Sequence, residues 1–217
     1  MKLESYGILI GLRPFGERDS VAHIFTADYG VLTGMLRGAA VAKKNRPLVG
    51  QTGTVAWSAR LDSQLGVFHW ESDRNMAASL MTDARKLGVM NAAFALIDAL
   101  LPERECYAQL FEDTRRLLSD LAAPGDASAA YLEWETKLLG ELGYALDLSH
   151  CSGCGARENL NFLSPRTGRA VCDTCAAPYV NRLYKLPVTL AVTARFLDMI
   201  CEQQGGRLPM ARVMLMR

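Results

Sequence analysis

Four of the six cysteines form two pairs whose spacing suits metal binding. The pairs are Cys151-x-x-Cys154 and Cys172-x-x-Cys175, with seventeen residues between Cys154 and Cys172. Two residues between cysteines let one turn present both sulfurs to a single ion, and this separation of pairs is typical of a four-thiolate zinc site. Since four thiolates complete a tetrahedron, the ion is expected to be structural and not to activate water. The sequence therefore predicts one structural Zn²⁺.

The residues around the four cysteines predict a zinc-ribbon-like insert at 150–178. Segments 161–163 and 169–171, joined through 164–168, are expected to form a hairpin that brings the second pair beside the first. His150 adjoins the first pair, but four cysteines already complete the coordination, so we expect no role for it. A redox role would require an electropositive helix N-terminus to lower a thiol pKa, and the flanking residues indicate none.

The remaining chemistry-bearing residues do not form a recognisable catalytic motif. The sequence has no phosphate-binding loop, dinucleotide fingerprint or nucleophile elbow, and the three histidines are far apart, at His23, His69 and His150. Cys106 and Cys201 stand alone in segments with helical periodicity, so we expect both to be buried thiols. These features favour a protein that is not an enzyme.

A stretch without acidic residues lies between Arg37 and Arg60 and carries a local excess of positive charge. Its cations are Arg37, Lys43, Lys44, Arg46 and Arg60. Such a cluster is either a groove that follows a phosphate backbone or an ordinary solvated surface. The aromatic residues Trp57, Phe68 and Trp70 would add stacking faces if they pointed outward, and would otherwise belong to the core. Period-two alternation leaves both interpretations open.

Short strand-like segments occupy the first 75 residues, and amphipathic helices follow. Turn signals separate five candidate strands at 6–12, 21–25, 31–36, 54–58 and 66–70. Five short strands suit a small closed barrel, because closure gives every sheet edge a partner. Apolar residues then recur at spacings of three and four up to about residue 203, apart from the cysteine insert. We therefore predict an α+β protein with a barrel domain at 1–75 and a helical domain at 76–217.

Composition indicates a globular protein without a membrane span. The chain has 217 residues, a hydrophobic content of 50% and a formal net charge of +1, so total charge does not predict a polyanionic or membrane partner. No segment has the length and hydropathy of a signal-peptide core or a membrane helix, so a cytoplasmic location is expected. The apolar segment 210–217 ends abruptly, as in a truncated or altered C-terminus.

Several sequence blocks, in this order, resemble the RecO family of bacterial recombination mediators. The blocks are GLRPFGERDS at 11–20, FTADYG at 25–30, LRGA at 36–39, WETKLLGELGY at 134–144 and CSGCG at 151–155. The resemblance covers nearly the whole chain. It departs from the family at 39–42, where AAVA stands in place of a lysine-richer segment. DNA affinity is then either weaker than in the family or carried by Lys43, Lys44 and Arg46.

The resemblance implies an N-terminal OB-fold and a helical domain that carries the zinc insert. It further implies binding of single- and double-stranded DNA, annealing of complementary strands and a nucleoid-associated role in recombinational repair. Its implied partners are RecR, the C-terminal tail of single-stranded-DNA-binding protein (SSB) and, indirectly, RecA. Two other hypotheses remain open from the residues: a zinc-ribbon enzyme that modifies nucleic acid, and a scaffold whose barrel binds peptide.

Overall fold

The computed structural model describes residues 1–42, 46–61 and 65–216. Contacts within the chain define two compact units. The first contains Met1–Ala127 with Pro209–Leu215, and the second contains Ser128–Leu208. The boundary between these units lies at Ala127/Ser128. The domain boundary predicted from the sequence, between residues 75 and 76, stays a prediction.

A closed five-stranded barrel of OB type forms the N-terminal part of the first unit. Its strands are β1 Lys2–Phe15, β2 Asp19–Thr26, β3 Gly30–Leu36, β4 Gln51–Ser58 and β5 Gly66–Asn75. The strand order is β1-β2-β3-β5-β4, and β1 also pairs with β4 to close the barrel. All neighbours are antiparallel except β3 and β5, which run parallel. The predicted α+β architecture with an N-terminal barrel is therefore confirmed.

The barrel core is built from alternating residues of all five strands, with Trp57 as its largest side chain. Trp57 Nε1 donates a hydrogen bond to the Thr33 carbonyl oxygen at 3.0 Å, which satisfies the only polar atom of the buried indole. Gly66 lies against this ring, and a Cβ there would be 2.1 Å from Trp57 Cε2. The glycine thus allows β5 to approach the indole closely.

The aromatic residues considered as stacking faces belong mainly to this core. Trp57 is 1% exposed and Phe68 is 5% exposed, whereas Trp70 is half-buried and packs against the same cluster. Trp57 and Phe68 therefore stabilise the barrel, and the stacking interpretation is wrong for both.

Three α-helices accompany the barrel in the first unit: α1 Ala84–Leu100, α2 Ala108–Ala122 and the short α6 Met210–Met214. Asp83 caps α1 by accepting hydrogen bonds from the backbone N–H groups of Arg85 and Lys86. The buried face of α2 includes Leu110, Leu117 and Leu121, as the periodicity predicted.

The loop between α1 and α2 corrects one sequence expectation. Cys106 is exposed, because α2 begins only at Ala108 and the cysteine precedes the apolar helical face. Its Sγ lies 3.6 Å from the Ala27 carbonyl oxygen. Cys201 is buried as predicted, in a helix of the second unit.

The second unit combines two long helices with a small sheet. The helices are α3 Ser128–Glu141 and α5 Leu190–Gln203, and the sheet consists of β6 Phe162–Leu163, β7 Ala170–Val171 and β8 Tyr184–Lys185 in the order β7-β6-β8. A one-turn helix, α4 Asp173–Ala176, follows β7 and continues into a 3₁₀ helix at Ala177–Arg182. None of the helices in the described ranges combines the length and the hydropathy that a membrane span requires.

Candidate metal centre and nucleic-acid surface

The four paired cysteines converge on one point of the second unit. The Sγ atoms of Cys151, Cys154, Cys172 and Cys175 all lie within 4.8 Å of one another, and all four are free thiols. The Sγ atoms of Cys154 and Cys172 are 3.6 Å apart. A tetrahedral ion with metal–sulfur bonds of about 2.3 Å places its sulfurs about 3.8 Å apart. The donor set therefore fits a metal of the thiolate-binding class.

The first cysteine pair is held by a turn anchored to the predicted hairpin. The Ser152 N–H donates to the Ala170 carbonyl oxygen of β7 at 2.9 Å, and the Gly155 N–H donates to the Cys151 carbonyl oxygen at 2.9 Å. Gly155 has φ +77°, a left-handed conformation that favours glycine. A Cβ at Gly153 would lie 3.0 Å from Cys175 Sγ, so this position also needs a minimal side chain.

The second pair is positioned by the hairpin and by α4. Strands β6 and β7 pair Phe162 with Val171, as expected from segments 161–163 and 169–171. Cys172 follows β7 directly and accepts the Ala176 N–H at 2.9 Å through its carbonyl oxygen, while Cys175 lies on α4. The β6–β7 hairpin and the helical turn α4 after it thus bring the sulfurs of Cys172 and Cys175 to the first cysteine pair.

Hydrogen bonds shift the pKa values of Cys151 and Cys175 in opposite directions. Hydrogen bonds from the N–H groups of Cys172, Cys154 and Gly153 lower the pKa of Cys151 to about 6. Hydrogen bonds with the neighbouring thiols, first that of Cys154, raise the pKa of Cys175 to about 12. Four thiolates this close repel one another, and a bound dication removes that repulsion.

A small apolar cluster surrounds the cysteines. Buried Cys151 and Cys172 pack with Val171 and Ala176, and the half-buried Phe162 lies against them. So few side chains form a weak core, and small domains of this kind usually need a metal or a disulfide. His150 is directed to other partners, because its Nδ1 lies 2.8 Å from Ser149 Oγ and 3.8 Å from Asp147 Oδ2.

The cations of the basic stretch that the structure describes are all exposed to solvent. Arg37, Arg46 and Arg60 are exposed, whereas Lys43 and Lys44 lie outside the described residues. Arg37 follows β3 directly, Arg46 lies in the connection to β4, and Arg60 follows β4 by two residues. The barrel therefore presents cations of this stretch to solvent, and their role in DNA binding stays a prediction.

A groove of about 550 Å³ runs between the segment after β3 and strand β5. Its lining includes Arg37, and also His69 and Glu71, whose Nε2 and Oε1 atoms lie 3.0 Å apart. The parallel pairing of β3 with β5 brings the fifth strand beside the segment that begins at Arg37. No local sequence signal predicts a pairing between non-consecutive strands, so the sequence alone does not place His69 and Glu71 beside Arg37.

Comparison with protein families accounts for most of the chain. A family model described as "Recombination protein O N terminal" matches residues 1–70. A second, "Recombination protein O C terminal", matches residues 81–214. The first spans most of the barrel, and the second includes all four paired cysteines.

Curated relatives agree with both matches. A DNA repair protein RecO from Cereibacter sphaeroides is 37% identical over an alignment of 226 positions, which covers 96% of this chain and 94% of the relative. Proteins of the same name from a Jannaschia species and from Rhizobium rhizogenes are 40% and 36% identical and cover 87% and 88% of this chain. The chain therefore belongs to the RecO family of DNA repair proteins.

Proposed function

We propose that this protein is a non-enzymatic recombination mediator that anneals complementary DNA strands during repair. The observation that carries the proposal is the match of both RecO family models, at residues 1–70 and 81–214. An OB-type barrel supports it, since such barrels commonly bind oligonucleotides.

The proposed mechanism is electrostatic and needs no covalent step. Cations of the basic stretch neutralise phosphates and release counterions, which reduces the repulsion between two strands and allows bases to pair. The stretch contributes Arg37, Lys43, Lys44, Arg46 and Arg60. Phosphate contacts do not read bases, so sequence preference is expected to be slight. If about five phosphates are neutralised, the log–log salt slope for a single strand is roughly −3.5.

Structural Zn²⁺ at the four paired cysteines belongs to the same proposal. The mutual distances of the sulfurs and the small apolar cluster around them support it. A bound Zn²⁺ would neutralise the thiolates and link the turn, the hairpin and α4 covalently. In this proposal the ion stabilises the second unit and does not contact DNA.

The proposed partners follow the resemblance to the family. They are single- and double-stranded DNA, RecR and the C-terminal tail of SSB, with RecA loaded indirectly onto SSB-coated strands. This role places the protein at the nucleoid, in the cytoplasm.

Annealing of two complementary fluorescent oligonucleotides, with zinc-replete protein and without ATP, tests the proposal. We expect fast annealing that collapses as salt concentration rises, because counterion release drives the binding. Replacing Lys43, Lys44 and Arg46 by alanine should flatten the salt slope of strand binding by about 2.

A matched variant controls for net charge. Replacing exposed Arg116, Arg157 and Arg207 by alanine removes the same charge outside the basic stretch and should leave the slope unchanged. Equal salt slopes in the two variants would show that the basic stretch does not contact the strand. No annealing at any salt concentration, from a folded protein with one metal ion per chain, would contradict the proposed function.

A further inference from the structure

The second unit contains its own groove, which the sequence did not indicate. It has a volume of about 710 Å³ and lies between the segment 181–187, which includes β8, and the first half of α5. Its apolar lining comes from residues such as Leu183, Leu186 and Val192. The groove lies entirely within Ser128–Leu208.

Positive charge distinguishes this groove from the groove at the barrel. Arg182, Lys185 and Arg195 line it, and its described lining contains no aspartate or glutamate. All three cations are exposed, and in the described parts of the chain none of them forms an ion pair. By contrast, Lys137 on α3 pairs with Glu133 at 2.9 Å. Three unpaired cations facing one concavity are complementary to an anionic ligand.

Aromatic rings accompany these cations. The Arg195 guanidinium lies 5.3 Å from the centroid of the Tyr184 ring, and Tyr184 also packs edge-to-face on Phe196 with centroids 5.8 Å apart. Tyr179, on the 3₁₀ helix Ala177–Arg182, is 56% exposed. Tyr179 lies outside the groove lining, but it precedes Arg182 by three residues, and side chains at this spacing eclipse in a 3₁₀ helix, so both project from the same side of that helix. Tyr184 is half-buried and Phe196 is buried, so Tyr179 is the exposed ring of the three. An exposed aromatic ring near cations is a usual element of single-strand binding surfaces.

We propose that this groove binds a single nucleic-acid strand, with Arg182, Lys185 and Arg195 on the phosphates and Tyr179 available for stacking. The inference rests on the proposed function in naming DNA as the natural ligand. It adds a second strand contact on the unit that carries the cysteine cluster. One chain would then contact DNA on each of its two units. The exposed tyrosine favours a strand with unstacked bases over an acidic peptide.

The test compares two variants of the full chain. Arg182→Gln with Lys185→Gln removes two groove cations, and Arg157→Gln with Arg207→Gln removes two exposed cations that do not line the groove. Binding of a fluorescent oligothymidine is measured across a salt series. In the groove variant, the slope of log affinity against log salt concentration should be smaller in magnitude by about 1.4, because two phosphate contacts are lost at about 0.7 each. The control variant should leave this slope unchanged. Melting temperature and metal content should match wild type in both variants.

Photocrosslinking locates the strand independently of affinity. An oligonucleotide that carries 5-iodouracil should crosslink to wild-type protein within residues 177–195, with Tyr179 or Tyr184 as the acceptor. Unchanged slope in the groove variant together with no crosslink in 177–195 would overturn the inference.

Three further outcomes separate the inference from other interpretations. If the groove variant loses binding to a synthetic acidic, apolar peptide but keeps wild-type affinity for oligothymidine, the groove binds peptide and the inference is wrong. If wild type does not anneal strands but crosslinks within 177–195, the inference holds and the proposed function fails. If the groove variant anneals and binds like wild type without that crosslink, only the inference fails.

Discussion

The four converging cysteines make the sharpest prediction for a single residue. Cys154→Ser removes one of four ligands, so the variant should lose the bound metal, with the stoichiometry falling from one ion per chain toward zero. Elemental analysis of purified protein measures this loss. Cys106→Ser is the matched control, because Cys106 is exposed and lies outside the cluster. Full metal content and an unchanged melting temperature in Cys154→Ser would contradict the metal site.

Protonation of the same sulfurs predicts how metal binding depends on pH. Cys175, whose pKa is raised to about 12, carries a proton at pH 7 in metal-free protein, and the metal must displace it. Cys151, whose pKa is lowered to about 6, is already a thiolate at that pH. Affinity should therefore rise with pH above 7 and fall more steeply below about pH 6, where Cys151 also binds a proton. Calorimetry in two buffers of different ionisation enthalpy measures the proton release, and binding without it would contradict this assignment.

Strand β5 makes a prediction at the scale of the element. Gly66→Ala places a Cβ 2.1 Å from the buried Trp57 ring, so β5 or the indole must shift. We expect a loss of about 1–3 kcal/mol or more in the free energy of unfolding, as for other overpacked cores. Gly88→Ala in α1 is the control, since its Cβ meets only Leu215 Cδ2 at 3.5 Å. That variant should be stabilised by about 0.5–1 kcal/mol. Equal denaturation midpoints for the two variants would disprove the close approach.

A second element-scale prediction concerns α3 and α5. Glu135 on α3 is fully buried, and its Oε2 accepts a hydrogen bond from Thr193 Oγ1 of α5 at 2.6 Å. Thr193→Val keeps the shape of the side chain but removes this donor, so it should cost about 1–3 kcal/mol of stability. Thr193→Ser keeps the hydroxyl and should lose less. Urea denaturation of both variants gives the comparison, and a valine variant as stable as wild type would refute the role of this hydrogen bond.

At the scale of the whole molecule, metal removal should affect one unit selectively. The cysteine cluster and its small core lie within Ser128–Leu208, whereas the barrel has a large core of its own. Chelation should raise amide hydrogen exchange across residues 147–185 and leave strands β1–β5 protected. Hydrogen-exchange mass spectrometry with and without chelator measures this difference. Uniform deprotection of the whole chain would contradict it.

Local patterns in the sequence determined much of this architecture. All five barrel strands, the long helices and the hairpin between the cysteine pairs lie where alternation, three-four periodicity and turn residues predicted them. The cysteine spacing predicted the cluster itself, because a C-x-x-C turn can present two sulfurs to one point whatever surrounds it. These features depend on residues close together in the chain.

The tertiary structure alone decided which residues from distant segments meet and which faces are covered. The parallel pairing of β3 with β5 brought Glu71 and His69 to the basic stretch, and barrel closure buried Trp57 and Phe68. Cys106 is exposed because α2 begins only at Ala108. The 3₁₀ helix Ala177–Arg182, β8 and α5 together bring Arg182, Lys185 and Arg195 to one groove. Periodicity describes the residues of a single helix or strand. Which side of that element is buried, and which residues it contacts, depend on its pairing with elements that are distant in the sequence, for which there is no local signal.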